Sequence, residues 1–217
     1  MNNIGHRLKE VRTERGLSLR ELARMASVSP SFLSQIENGK SQPSVATLYS
    51  FSKLLGVQID DLFGPSEDDD IVPETGAQAH EITERSDFTN PSQVWNTSEY
   101  TNRISLIHPD HRAALDMAEG VKWQRLAATP EAGVNFMKIS YAPGSTSTAS
   151  GEMLTHEGYE YGYVLEGELE VTVGGEVFSL QAGQSLGFDS SIPHIFANRG
   201  DVVSTGIWFV HGVCSRK

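Results

Sequence analysis

The residues best equipped for chemistry in the second half of the chain fall in two short segments. The first is His156-Glu157-Gly158-Tyr159-Glu160, and the second runs from Gly183 to Asn198 and contains Ile192-Pro193-His194. Imidazoles and carboxylates at this density can ligate a metal, hold an organic ligand or bond one another. His194, directly after Pro193, can also close a turn by hydrogen bonding. In the first half, the run Ser29-Pro30-Ser31-Phe32-Leu33-Ser34-Gln35 is unusually polar for a helix whose buried stripe is Phe32, Leu33 and Ile36. Its hydroxyl and amide groups are of the kind that meet base edges, since a Gln amide can pair bidentately with adenine.

These groups need elements to hold them. Residues 1–63 read as consecutive short helices. Ile4, Leu8 and Val11 recur at helical spacing up to Arg15, and Gly16 ends that helix. Ser18-Leu19-Arg20-Glu21 fits a capping box, in which the Ser caps the Glu amide and the Glu reaches back. Leu22, Ala23 and Ala26 form the inner face of this second helix. Ser29 suits the cap of a third helix, and Pro30 its first position, where a missing N–H costs nothing. Two short helices joined by Ser27-Val28-Ser29 make a helix-turn-helix pattern. A fourth helix follows Pro43-Ser44, turning Val45, Leu48, Phe51, Leu54 and Leu55 inward, and Ile59 to Phe63 make a short last turn. From about Thr101 the pattern changes to alternating runs with Gly turns, such as Tyr163 to Val173 and Val202 to Val210. Alternation with β-branched and aromatic residues predicts strands, and short strands of this kind predict a sandwich or barrel.

Charge divides the chain in the same place. The net charge is −11, yet residues 1–63 hold eight Lys/Arg against six Asp/Glu, while the remainder holds nine against 22. Such asymmetry fits two tasks in one chain. Between the two regions, Gly64-Pro65-Ser66-Glu67-Asp68-Asp69-Asp70 opens a polar stretch that reads as a solvated linker over residues 65–100. No run approaches the roughly 18 apolar residues of a membrane span. One cysteine, Cys214, permits no disulfide within the chain, and Met1 to Arg7 lacks the apolar core of a signal peptide. The expected setting is therefore reducing and cytoplasmic.

The segments Leu17 to Ala23, Val28 to Lys40 and Pro43-Ser44 closely resemble the XRE family of lambda-repressor-like helix-turn-helix domains. That resemblance implies a five-helix DNA-binding domain over residues 1–64, with the third helix in the major groove. Carried over by position, it nominates Ser29, Ser31, Phe32, Ser34, Gln35 and Lys40 as DNA contacts. Gln35 is the candidate for direct readout, and Phe32 is divided between a thymine methyl and the core. Arg20, Lys40 and Arg24 are candidate phosphate contacts, which position the domain without specifying sequence. Glu37 reads as a structural charge.

The two C-terminal segments resemble the two motifs of the cupin superfamily. His156, Glu160 and Gly167 match the first motif, and Gly183, Pro193, His194 and Asn198 match the second. The implied fold is an all-β jelly-roll barrel over residues 101–217, giving an α + β two-domain chain. Cupins bind a divalent metal through three His and one Glu, but here Leu154 stands where one His is expected. His156, Glu160 and His194 remain, a set suited to Fe(II) and compatible with Zn, Mn or Ni. Tyr141, Met153, Tyr161, Tyr163, Phe188 and Phe196 are candidates for lining a ligand pocket, with Tyr159 beside them. On alternating strands about half of such residues should face outward.

The joint resemblance implies a transcriptional regulator that binds a double-stranded DNA operator as a homodimer and senses a small-molecule effector in the barrel. The alternative reading is a non-haem iron enzyme, since the layout and the His-Glu-His set also resemble hydroxypropylphosphonate epoxidase.

Overall fold

The computed structural model describes residues 4–57, 59–63, 105, 107–127, 134–148 and 150–212. The linker expected at 65–100, and Cys214, lie outside the described residues. Among these residues the helical region has four α-helices: α1 (Ile4–Glu14), α2 (Leu19–Met25), α3 (Pro30–Glu37) and α4 (Val45–Leu55). The five-helix expectation is corrected here. The last described segment of this region forms a 3-10 turn, Asp60–Leu62, after Gly56 takes a left-handed conformation that ends α4.

Each start signal in the sequence is realised as a hydrogen bond. The Glu21 amide donates to Ser18 Oγ at 3.2 Å, and Glu21 Oε2 accepts from the Ser18 amide at 2.8 Å. Ser29 caps α3 by accepting from the Phe32 amide, with Pro30 at the first helical position. Ser44 caps α4 by accepting from the Thr47 amide. The helices close on Leu8, Leu22, Leu33, Ile36, Leu48, Phe51, Leu55 and Leu62, all at most 2% exposed. Within this core the Arg12 guanidinium grips the Glu37 carboxylate in two bonds of 2.6 and 2.9 Å, tying α1 to α3.

The second region is all-β: β1 (Ala114–Asp116), β2 (Val121–Ala127), β3 (Val134–Tyr141), β4 (Tyr159–Glu166), β5 (Glu168–Val173), β6 (Glu176–Gln181), β7 (Ser185–Asp189), β8 (His194–Ala197) and β9 (Ser204–His211). A six-stranded sheet of order β1-β2-β3-β9-β4-β7 lies against a three-stranded sheet of order β6-β5-β8. Every strand pair is antiparallel. Trp123, Met137, Tyr141, Val164, Leu169, Val171, Phe196 and Trp208 fill the space between the sheets.

Strand period decides which side chains reach that space. In β4, Glu160 and Val164 point inward, so Tyr159, Tyr161 and Tyr163 point out. They are 51%, 53% and 46% exposed. This corrects the expectation that Tyr161 and Tyr163 line the pocket. Met153 is likewise exposed, in a loop before β4, and does not line the cavity.

Candidate functional sites

The first site is the polar face of α3. Ser31 and Gln35, one turn apart on the same face, are both exposed, while Leu33, Ile36 and Glu37 face the core. Phe32 and Ser34 are half-buried at the border. The Ser29 hydroxyl oxygen is engaged as the helix cap, which leaves its own proton free to donate. Past the helix, Gly39 takes φ +69°, a conformation that L side chains rarely adopt. The chain thereby turns sharply enough for the Lys40 amide to reach the Gln35 carbonyl at 2.8 Å. Lys40 is thus held, exposed, beside the end of α3. Arg20 is exposed in the first turn of α2. The turn between α2 and α3 places Ser27 at φ +55°, and the Val28 amide bonds the Ala23 carbonyl at 3.0 Å. Glu37, expected as a structural charge, is the buried partner of Arg12.

The second site is inside the barrel. His156 and Glu160 flank a tight turn into β4, and His194 opens β8. Gly158 in that turn is at φ +111°, and a Cβ there would lie 2.1 Å from the His211 carbonyl oxygen. Glycine therefore lets the chain pass close enough to β9 for His156 to face Glu160. His156 Nε2 lies 2.7 Å and His194 Nε2 3.3 Å from the same oxygen of Glu160. The three side chains are 9%, 5% and 0% exposed for His156, Glu160 and His194 respectively, and their ligand atoms all fall within 4.8 Å of one another.

The outer nitrogens define the chemistry of the inner ones. His194 Nδ1 is 2.9 Å from the Ile192 carbonyl, and His156 Nδ1 is 3.2 Å from the Glu157 carbonyl. A carbonyl only accepts, so each Nδ1 is placed to donate, while His156 Nε2 is hydrogen-bonded to the Glu160 carboxylate. Burial pushes the Glu160 carboxyl up, but its contacts with His156 and His194 outweigh this and hold it below the ordinary carboxylate value. His194 Nε2, beside the His156–Glu160 pair, is buried without a hydrogen-bond partner among the described residues. A divalent cation could draw all three groups together. The donor types and the orphaned His194 nitrogen fit a cation held by His156, Glu160 and His194. Leu154, where a fourth ligand was expected, is buried and exchanges two backbone hydrogen bonds with His194, at 2.7 and 2.9 Å.

Of the pocket candidates, Tyr141 and Phe196 line the cavity beside the cluster, together with Trp123, Leu154 and Glu160. Phe188 packs its edge against the His194 ring at 4.9 Å. Burial, and then the nearby Glu160 charge, push the Tyr141 phenol up, so it remains a neutral hydroxyl. Sequence reasoning missed Tyr49. This α4 residue lines the same cavity and stacks on His156. Its place four residues after Val45, off the stripe of Leu48, Phe51 and Leu55, was the available signal.

Comparison with known proteins matches both regions of the chain. Residues 8–62 match the helix-turn-helix family model, and residues 137–210 match the cupin domain model. The HTH-type transcriptional regulator PuuR of Escherichia coli is 28% identical over 194 residues, covering 89% of this chain and 86% of the relative. SutR, another HTH-type transcriptional regulator of Escherichia coli, is 26% identical over 196 residues with the same coverage. The crystal structure of an HTH_3 family transcriptional regulator from Vibrio cholerae shares the fold, with a TM-score of 0.58 and 24% identity over 97% of this chain and 96% of that one. The chain thus joins a helix-turn-helix domain to a C-terminal cupin domain and is similar over most of its length to HTH-type transcriptional regulators.

Proposed function

We infer that this protein is a sequence-specific DNA-binding transcriptional regulator whose cupin domain senses a small molecule. The observation that carries the reading is the capped α2-turn-α3 unit, which buries Leu33 and Ile36 while leaving Ser31 and Gln35 exposed on one face. That face has the dimensions and the donors of a major-groove reader. Gln35 reads a base, Ser31 and Ser34 meet bases or phosphates, and Arg20 and Lys40 hold the backbone. Ser29 and Phe32 stand at the start of the helix, where the groove is approached.

One such domain makes few contacts for tight and specific binding, so the chain acts as a homodimer on half-sites spaced about 34 Å apart, one helical turn. Effector in the barrel favours one arrangement of the two reading heads over another, and its differential affinity for the two arrangements sets the response. The His156–Glu160–His194 set holds one divalent metal, of the Fe, Zn, Mn or Ni class, as part of that sensor. The regulator reading is preferred to an iron enzyme because the relatives aligned over 86% of their length are regulators.

Selection of genomic fragments by the purified full-length protein tests this. Enriched fragments should share a two-fold symmetric site. Gln35→Ala should weaken binding to it by about 1–3 kcal/mol and relax preference at one base position per half-site. An unaltered base profile would remove Gln35 from the readout set, and failure to enrich any common site would remove the function.

A further inference from the structure

The DNA-binding domain supplies part of the wall of the barrel's own site. The Tyr49 ring lies 4.5 Å from the His156 ring and 6° from parallel. It also meets Trp123 of β2 at 6.1 Å and 76°. Val45, one turn earlier on α4, lines the same cavity. Next to this contact the Ala118 amide donates to the Pro43 carbonyl at 2.9 Å, a backbone bond between the approach to α4 and the barrel. The space left inside is about 10 Å³, roughly what one water centre requires. A metabolite cannot enter unless a wall yields.

The walls are not equal in this respect. Trp123, Tyr141 and Trp208 stand on strands paired within one six-stranded sheet, so moving them breaks ladder hydrogen bonds. Tyr49 and Val45 are attached to the barrel through ring contacts and the Pro43–Ala118 bond. Resting on the reading that the barrel receives an effector, we propose that Tyr49 is a removable plug. An effector and docked α4 compete for the same space, so filling the site expels Tyr49. The other side of α4 buries Leu48, Phe51 and Leu55 in the helical core. Tyr49 therefore leaves together with the whole DNA-binding domain, and occupancy of the barrel becomes undocking of the reading head. The effector chemistry this fits is a small molecule with an apolar body, to replace the Tyr49 ring against His156 and Trp123. Its polar end meets the His-Glu-His cluster.

Diethyl pyrocarbonate labelling of histidines, read by peptide mass spectrometry on the full-length chelator-treated protein, tests the plug without needing DNA or the effector. His6 and His108, with side chains 72% and 50% exposed, serve as internal references. His156 should label at least about tenfold more slowly than either, Tyr49→Ala should remove that protection, and Tyr49→Phe, which keeps the ring, should retain it. In a Pro43→Cys/Ala118→Cys chain, oxidation should suppress His156 labelling and reduction should restore it. Equal His156 labelling in wild type, Tyr49→Ala and Tyr49→Phe overturns the proposal, as does equal labelling in the oxidised and reduced double-cysteine chain. Loss of DNA binding with His156 protection intact would sink the regulator reading and leave the plug standing.

Discussion

At the residue scale, the proposed function divides between side chains assigned to DNA and side chains assigned to a ligand. Lys40 is held beside α3 by the turn at Gly39, where it can pair with a phosphate. Lys40→Ala should weaken binding to every duplex by a similar factor and reduce the slope of log affinity against log salt by about one. Titrations at several salt concentrations check this, and a change confined to one sequence would contradict it. In the barrel, protein purified without chelator should carry close to one divalent metal per chain. His194→Ala should lose that metal, since its Nε2 has no hydrogen-bond partner among the described residues. Metal-free wild-type protein by elemental analysis would contradict a metal role for the cluster. The cluster residues were legible in the sequence because two spaced motifs flagged them. Tyr161 and Tyr163 were misplaced because aromatic type was weighed ahead of strand parity. Glu160 inward forces both outward.

At the element scale, boundaries followed from local chemistry. Ser18, Ser29 and Ser44 each cap the helix they precede, and a cap needs only the following three residues to be recognised. The turn at Gly39 and the ending at Gly56 were equally local. What could not be read was long-range pairing. Nothing in the sequence around Arg12 announces Glu37, 25 positions away, as its partner. That pair holds α1 against α3, the helix that presents Gln35. Arg12→Ala would leave the Glu37 carboxylate, 3% exposed, buried without its partner, at a cost of about 3–5 kcal/mol. Thermal unfolding of the full-length chain should show the loss. A change below about 1 kcal/mol would mean that solvent reaches Glu37 and replaces the guanidinium.

At the scale of the whole molecule, the two charge regimes correspond to two folded units: a weakly basic helical domain and an acidic barrel. The sequence made that division legible, because hydrophobic periodicity changes from helical to alternating as the charge changes sign. It did not reveal that the units share a wall, since Tyr49 and His156 are far apart in the chain and only the packing of α4 over the barrel brings their rings together. The proposed function rests on the α3 face reading a DNA sequence. Equilibrium titration of the purified chain with a selected genomic site and with a shuffled duplex, both at physiological salt, tests it most directly. The expected result is at least about a thousandfold preference for the selected site, with two chains bound per duplex. Equal affinity for the two duplexes would contradict it.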